Sequence, residues 1–352
     1  MSSIDEFKLE FIKERSDSLY ICAAGFEDRS RAIVERLKDR RENFFKYSLI
    51  LEYSDTKHKE YNKPNLEFIQ STLPQISCRL LENAIVDIDH IYQIKANIIE
   101  AFKRIPIEDI GTVFIDISGM ANSLILLSVH QAKKRFLGKE IVILYAEADI
   151  YYPSIEKRAE IKRLMKSDEE EDILKLGDEL GASGTREVII LPGFKGYFTE
   201  NKPICLIFLV GYEPSRAAGL LDTYRPNMVV VCYGGSPHEK FEWRRDFSKE
   251  LHVDLFNKFN HVERGISTFY ISEIVTELDK IYKSIENSGH ELYEYYNVAI
   301  TPQCSKLQTI AAYLFSQIHP DVQIVFCFPG KFNPERYSKG VGKIWVYKLQ
   351  NV

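Results

Sequence analysis

Residues 113–122 decide the fold of this chain, and they read Val113-Phe114-Ile115-Asp116-Ile117-Ser118-Gly119-Met120-Ala121-Asn122. The apolar run that ends at Asp116 predicts a strand buried on both faces, as in a parallel sheet. The apolar residues from Ser123 to Val129 predict a helix directly after the turn. This order places Asp116 and Ser118 at the carboxyl end of the strand, where open α/β sheets bind their ligands.

The same pattern recurs at residues 296–306, which read Tyr296-Asn297-Val298-Ala299-Ile300-Thr301-Pro302-Gln303-Cys304-Ser305-Lys306. A second helix-like stretch follows, from Leu307 to Phe315. Strand-like and helix-like segments alternate along the whole chain, which predicts largely parallel sheets covered on both faces. The predicted fold class is therefore α/β, with two tandem Rossmann-like, doubly wound units related by internal duplication. The predicted boundaries are residues 1–195 and 203–352.

The two halves also match at the turn after their first strands. The aligned pairs are Gly25 with Gly211, Phe26 with Tyr212, Glu27 with Glu213, Ser30 with Ser215, Arg31 with Arg216 and Ala32 with Ala217. Further along, Tyr53 aligns with Tyr233, His58 with His238 and Asp116 with Ala299. Any two doubly wound domains share glycine turns, but this alternative does not account for the repeated Glu, Ser and Arg or for the paired histidines.

Composition excludes several classes of protein. The net charge of −5 argues against a reader of duplex DNA. No apolar run reaches the ~18 residues of a membrane helix. The six cysteines are scattered without any C-x-x-C pair, which argues against a zinc site and predicts a reducing cytoplasm. Four of them, Cys22, Cys205, Cys232 and Cys327, lie in strand-like runs and should be buried. Neither dinucleotide nor P-loop fingerprint follows the first strand, and we expect no metal and no cofactor.

The candidate residues are polar and follow predicted strands. Ser30, Ser118 and Thr301 are expected to cap helices, and Gly119 to allow a ligand to approach. Glu27 and Arg31 are four residues apart, so a helical ion pair is the alternative to a ligand site. The candidate ligand-binding residues are Glu27, Ser30, Arg31, His58, Asp116, Ser118, Gly119, Asn122, Glu213, Arg216, His238, Thr301, Gln303, Ser305 and Lys306.

The turn after the Asp116 strand resembles the ligand motif of CRISPR-associated Rossmann-fold (CARF) domains, in which a strand ends in D-x-[ST]-G before a helix. Asp116, Ser118, Gly119 and Asn122 match this motif, and Thr301 and Ser305 match it in part. Such domains form dimers that bind cyclic oligoadenylates or similar signals. The resemblance implies a fused pair of CARF-like halves that hold a nucleotide between them. The family commonly has a basic residue where this chain has Asn122 and Ser305, and the chain shows no effector module.

Three functions follow as hypotheses. The first is a nucleotide-signal binding protein of a bacterial defence or regulatory system, with a protein effector as partner and a homodimer as one allowed assembly. The second is an enzyme of nucleotide metabolism, a phosphodiesterase or glycosidase, with Glu27 or Asp116 as base and His58 or His238 as acid. The third is a protein-interaction scaffold.

A mutational expectation accompanies the first hypothesis. Asp116→Ala with Ser118→Ala should abolish the response to a nucleotide and leave folding almost intact, because loss of a helix cap costs only ~1 kcal/mol.

Overall fold

The chain forms two compact units, and a computed structural model describes them over residues 4–13, 15, 17–40, 42–54, 59–167, 169–283 and 292–349. The first unit comprises residues 4–152 and 337–349, and the second comprises residues 153–336. The chain therefore leaves the first unit after Tyr152 and re-enters it at Tyr337. Each unit has a mostly parallel sheet with helices, so the predicted α/β class is confirmed.

The described residues of the first unit form ten strands and five helices. The strands are β1 (Ile4–Glu6), β2 (Ser18–Ala23), β3 (Phe45–Tyr53), β4 (Ser77–Leu80), β5 (Ala84–Val86), β6 (Thr112–Asp116), β7 (Glu140–Ala146), β8 (Ile150–Tyr151), β15 (Ser338–Lys339) and β16 (Ile344–Leu349). The helices are α1 (Leu9–Lys13), α2 (Ala32–Leu37), α3 (Lys59–Ile76), α4 (Ile91–Lys103) and α5 (Asn122–Arg135). The main sheet has the order β1-β16-β7-β6-β2-β3-β4, with β5 also paired to β3, and β8 pairs separately with β15.

In the part of the second unit that the structure describes, there are six strands and seven helices. The strands are β9 (Ala182–Ile190), β10 (Ile204–Leu209), β11 (Met228–Gly235), β12 (His261–Ser267), β13 (Asn297–Pro302) and β14 (Gln323–Phe332). The helices are α6 (Ile155–Leu164), α7 (Glu170–Glu179), α8 (Pro214–Tyr224), α9 (Trp243–Phe256), α10 (Ile271–Lys283), α11 (Leu292–Tyr295) and α12 (Lys306–Ile318). The sheet order is β12-β11-β10-β13-β14-β9.

The predicted boundaries near residues 195 and 203 are wrong. The strand that closes each half in the sequence belongs to the sheet of the other unit: β9 pairs antiparallel with β14, and β16 pairs antiparallel with β7. The strands from β2 to β7 that pair with one another are parallel, and so are the strands from β10 to β14. An apolar strand pattern shows that a segment needs a neighbouring strand, but it does not specify which unpaired sheet edge supplies it.

Each core is built on the apolar face of its central strands. In the first unit Tyr20 stacks on Phe45 with ring centroids 4.6 Å apart, and Phe45 meets Phe114 edge-on at 5.9 Å. In the second unit Phe208 meets Phe256 at 5.5 Å. The four cysteines predicted to lie in strands are all buried, as expected.

The helices that follow the two recurring motifs are buried at ten consecutive positions each. These positions are residues 123–132 of α5 and residues 307–316 of α12. A helix that is buried all round must have protein on every side, so it fixes the carboxyl end of the strand before it. Within the described residues, no helix combines the length and apolar character needed to cross a membrane.

A buried histidine in α9 should make stability depend on pH. His252 is 1% exposed, and its Nδ1–H donates to the Ser248 carbonyl at 2.8 Å. Burial lowers the pKa of His252 from its ordinary 6.5 to about 4, although the Ser248 bond acts in the opposite direction. Below pH 6.5 the unfolded chain therefore takes up a proton that the folded chain does not. We expect the free energy of unfolding to fall by on the order of 3 kcal/mol between pH 6.5 and 4 from this group.

Chemical denaturation at a series of pH values measures this loss. His252→Phe should make the dependence shallower by this amount, while His130, whose pKa burial also lowers to about 4, still contributes. His90→Gln is the matched control, since the His90 side chain is 72% exposed. An equal slope for both variants and the parent would contradict the assignment.

Candidate functional site

Hydrogen bonds from Asn65 hold the backbone of the turn after β2. Asn65 Nδ2 donates to the carbonyl oxygens of Gly25 at 2.7 Å and Glu27 at 3.0 Å. A Cβ atom on Gly25 would lie 2.5 Å from the Gly119 carbonyl oxygen, which is too close for any side chain. Gly25 therefore lets the turn after β2 approach the turn after β6, which are the two turns that the sequence identifies in the first half.

A buried ion pair occupies the turn after β2. Glu27 Oε1 accepts from Arg29 Nη2 at 2.7 Å and from Arg29 Nε at 3.1 Å, and the two side chains are 10% and 7% exposed. Arg29 Nη1 also donates to the Tyr145 hydroxyl at 3.2 Å and to the Ala146 carbonyl at 3.5 Å. Burial alone would lower the pKa of Arg29, but the charge and hydrogen bond of Glu27, together with Tyr145 and Tyr151, outweigh burial and raise the pKa. Arg29 is thus a permanent cation at the carboxyl edge of the sheet.

Arg31 does not join this pair, so the helical Glu27–Arg31 ion pair, which was the alternative to a ligand site, does not form. The Arg31 guanidinium lies over the Phe68 ring at 5.5 Å, and its Nε is 3.7 Å from Glu35 Oε2. The reason is local geometry. The residues Asp28–Arg31 form a 3-10 turn, so the spacing of an α-helix does not apply between Glu27 and Arg31.

Asp116 is 1% exposed and accepts hydrogen bonds within the protein. Its Oδ2 accepts from the Tyr20 hydroxyl at 2.8 Å, and its Oδ1 accepts from the Ser118 backbone N–H at 2.9 Å and from the Ser118 hydroxyl. Asp116 therefore shapes the turn from beneath. This position differs from the direct ligand contact expected from the sequence, because the strand end turns the carboxylate into the core.

Ser118 is not the predicted helix cap. The residue before α5 is Ala121, which makes no side-chain cap bond. The Tyr53 hydroxyl takes this role: it accepts from the Ala121 N–H at 2.8 Å and donates to the Gly119 carbonyl at 3.1 Å. Asn122, the first residue of α5, is half-buried.

Gly119 is required by the protein itself. A Cβ there would lie 2.2 Å from the Ala23 carbonyl oxygen and 2.8 Å from Ser30 Oγ, so its predicted use as space for a ligand is replaced by close packing of two turns. Ser30 lies inside the 3-10 turn and caps no helix, contrary to expectation. It is 1% exposed, and its hydroxyl has no hydrogen-bond partner among the described residues.

The two turns of the first unit meet at Ala146, the last residue of β7. Its backbone N–H donates to the Ser118 hydroxyl at 2.8 Å, and its carbonyl oxygen accepts from Arg29. Glu27, Arg29, Ser118 and Asp116 thereby form one hydrogen-bonded network across the carboxyl ends of three parallel strands. Tyr151 extends this network, since its hydroxyl is 3.1 Å from that of Tyr145.

The second unit has a corresponding ion pair. Glu213 Oε2 accepts from Arg216 Nη1 at 3.2 Å, and both side chains are mostly buried. Arg216 also donates to the Cys327 carbonyl through Nε at 3.1 Å and Nη2 at 2.7 Å. Burial raises the pKa of Glu213, while Arg216 acts against this rise. Each unit therefore joins a Glu–Arg pair to a carbonyl oxygen of β7 or β14.

The predicted alignment of Asp116 with Ala299 is wrong by two residues. Ser18 is equivalent to Ile204, because each precedes the glycine of its turn, Gly25 or Gly211, by the same number of residues. Ser18 pairs with Thr112 and Ile204 pairs with Asn297, so these two partners are equivalent as well. Asp116 consequently corresponds to Thr301, which is fully buried. The Thr301 hydroxyl and the Gln303 side-chain amide nitrogen have no hydrogen-bond partner in the described part of the chain.

Ser305, and not Thr301 as predicted, caps the helix of this motif. Its hydroxyl accepts from the Gln308 N–H at 3.2 Å, and the Gln308 side chain accepts from the Ser305 N–H at 3.1 Å, which completes a capping box. Lys306 is the first residue of α12 and is half-buried. The sequence could have indicated this cap, because Ser305 precedes Gln308 by the three residues that the box requires.

The histidine pair receives no joint role. His58 lies outside the described residues, and the His238 ring packs edge-on against Phe269 at 5.4 Å and Phe241 at 6.4 Å. The tyrosine alignment that supported the pair is wrong by one residue. The strand register makes Gly234, and not Tyr233, the structural equivalent of Tyr53. Among the described residues, no three His, Cys, Asp or Glu side chains are arranged to hold a metal ion.

Sequence reasoning missed Arg29, Tyr53, Asn65 and Ser338. Arg29 was missed because Glu27 and Arg31 have the four-residue spacing of a helical ion pair, which made Arg31 the expected partner. Tyr53 ends β3, so its place at the shared carboxyl edge was a usable signal. Asn65 and Ser338 contact Glu27 from 38 and 311 residues away, and no local pattern announces such contacts.

No family model matches the chain, and no curated protein matches it. Among solved structures, a universal stress protein from Archaeoglobus fulgidus DSM 4304 is similar at 9% identity, over 90% of this chain and 98% of that chain, with a TM-score of 0.23. A TM-score this low carries no inference about the protein.

Proposed function

We propose that this protein binds a nucleotide signal at the carboxyl edge of the first unit's sheet, as a CARF-like sensor of a bacterial defence or regulatory system. The observation that carries this proposal is the convergence of the Glu27–Arg29 pair and the Asp116–Ser118 turn on Ala146. A fixed cation, two tyrosine rings and a helix start lie at one sheet edge. These groups suit a phosphate, a base and a sugar.

The role of each group follows from its chemistry. Arg29 supplies the charge for a phosphate, and its guanidinium is held within 5.7 Å of the Tyr145 ring centroid and 6.0 Å of the Tyr151 ring centroid. Tyr151 is half-buried and offers a ring for stacking. Asp116 and Ser118 act as positioning residues, because they hold the turn without reaching the surface.

Binding is better supported than catalysis. A general base must reach a proton of the substrate, but Asp116 is buried and Glu27 is held in a buried ion pair with Arg29. We therefore propose a sensor that passes its bound state to a protein effector, and we propose no cofactor.

We also infer that the two units arose by internal duplication. The equivalent strands follow the same order in both sheets: β7-β6-β2-β3 in the first and β14-β13-β10-β11 in the second. Each unit adds one antiparallel strand beside β7 or β14 and carries a Glu–Arg pair. In this view Thr301 occupies the position of Asp116, so the first unit has a carboxylate at this position and the second has a hydroxyl.

A panel of nucleotides tests the proposed function. Adenosine mono-, di- and triphosphates, cyclic dinucleotides and cyclic oligoadenylates are each added while thermal melting and product formation are followed. We expect a saturable rise in melting temperature without turnover, since a ligand at 100 times its Kd stabilises the folded state by about 2.7 kcal/mol.

Two arginine variants locate the site. Arg29→Lys should weaken binding about tenfold, because an ammonium cannot keep the forked contacts of the guanidinium. Arg31→Lys is the matched control in the same turn and should bind as the parent does. Equal affinities for the two variants would place the ligand elsewhere, and steady product formation would favour the enzyme.

A further inference from the structure

A short segment covers the turn after β2, and we call residues 337–342 the strap. It begins where the chain re-enters the first unit. Its two-residue strand β15 pairs with β8, which is separate from the main sheet. The Tyr152 N–H donates to the Tyr337 carbonyl at 2.9 Å, and the Gly342 N–H donates to the Glu147 carbonyl at 2.8 Å. These bonds align the strap with the edge of the turn.

The strap donates to both acidic side chains of the turn. The Ser338 hydroxyl donates to Glu27 Oε1, the same oxygen that receives Arg29. The Gly340 N–H donates to Asp28 Oδ2 at 2.8 Å. The Tyr337 ring meets the Phe26 ring edge-on at 5.3 Å. The strap therefore occupies acceptors that a ligand at this turn would need.

The strap has the character of a segment that opens easily. None of the residues 337–343 is buried, so opening exposes little apolar surface. Gly340 has a φ of +70°, and a Cβ there would lie 3.2 Å from the Asp149 Cβ, so glycine is needed for the closed path. Segments with few buried contacts open at low free-energy cost.

We propose that the strap is an intramolecular competitor of the ligand, in which the Ser338 hydroxyl occupies the place of a ribose 2′-hydroxyl on Glu27. This inference rests on the proposed nucleotide site and specifies its sugar. Carboxylates accept hydrogen bonds from ribose hydroxyls in dinucleotide-binding folds. A ribonucleotide that donates to Glu27 displaces Ser338 and releases the strap. Because the strap continues directly from the second unit, its release changes one of the two chain segments that join the units.

Ser338→Ala tests the competition. Ser71→Ala is the matched control, since the Ser71 hydroxyl is exposed and, among the described residues, bonds only to the Phe68 carbonyl of its own helix. Without any ligand, hydrogen exchange in the peptide that spans residues 337–343 should be at least about threefold faster in Ser338→Ala than in the control. Cyclic tetra-adenylate should bind Ser338→Ala about tenfold more tightly than the parent, because a larger fraction of molecules is open.

The sugar is tested with the 2′-deoxy form of the same cyclic tetra-adenylate. We expect it to bind the parent and Ser338→Ala at least about tenfold more weakly than the ribo form. Equal affinity of the two forms, or equal affinity of the parent and Ser338→Ala for the ribo form, overturns the competition. If no nucleotide binds any variant, the proposed function and the sugar assignment both fail. In that case unchanged hydrogen exchange in Ser338→Ala would also overturn the strap contact itself.

Discussion

Arg29→Ala is expected to lower the free energy of unfolding by about 3 kcal/mol and to abolish nucleotide binding. The Glu27 side chain is only 10% exposed, and Arg29 is its cationic partner. Removing one member of a buried ion pair leaves an uncompensated charge, which costs 3–5 kcal/mol in comparable cases. The Ser338 hydroxyl still donates to Glu27 and offsets part of this loss. Urea denaturation followed by circular dichroism measures the change.

Arg31→Ala is the control for this experiment. Arg31 and Glu35 are 36% and 43% exposed, and exposed pairs contribute between zero and about 1 kcal/mol. Arg29→Lys separates charge from geometry, since it keeps the charge and loses the fork. We expect an intermediate loss of stability for it. Equal destabilisation by Arg29→Ala and Arg31→Ala would refute the structural difference between the two arginines.

Asp116→Ala is expected to destabilise the protein by ~3 kcal/mol, which revises the expectation from sequence that folding stays almost intact. The substitution leaves the buried Tyr20 hydroxyl and the Ser118 N–H without their acceptor. Each unsatisfied buried group costs about 1–3 kcal/mol. The Ser118 hydroxyl also loses its acceptor, so its contact with the Ala146 N–H becomes less well oriented. The loss of nucleotide response would then follow from a displaced turn.

Thr301→Val in the second unit is the matched control. Thr301 has the same register position as Asp116, but its hydroxyl has no hydrogen-bond partner in the described residues. Valine has the same shape, so the change should stay within about 0.5 kcal/mol or stabilise the protein. Asp116→Asn should cost less than Asp116→Ala, because it keeps one acceptor for the Ser118 N–H. A melting temperature for Asp116→Ala equal to that of Thr301→Val would show that the turn does not depend on Asp116.

The sequence by itself determined where strands and helices lie. Continuous apolar runs such as residues 113–115 have no polar face for water, so they must become strands buried on both sides. Small polar turns follow them because the chain must reverse direction there. The α/β class and the location of the turns at Gly25 and Asp116 depend on such neighbouring residues, and both were predicted correctly.

Only the tertiary structure decided which partners these elements take. The apolar pattern of β16 suits any free sheet edge, and its pairing with β7 depends on where the chain re-enters the first unit. The same holds for side chains, since Tyr20 and Asp116 are hydrogen-bonded although they are 96 residues apart. Glu27 pairs with Arg29 and not with Arg31 because the residues after it form a 3-10 turn instead of an α-helix. Local sequence fixes the conformations a segment prefers, whereas strand register and buried hydrogen bonds depend on distant groups that meet only when the chain has folded.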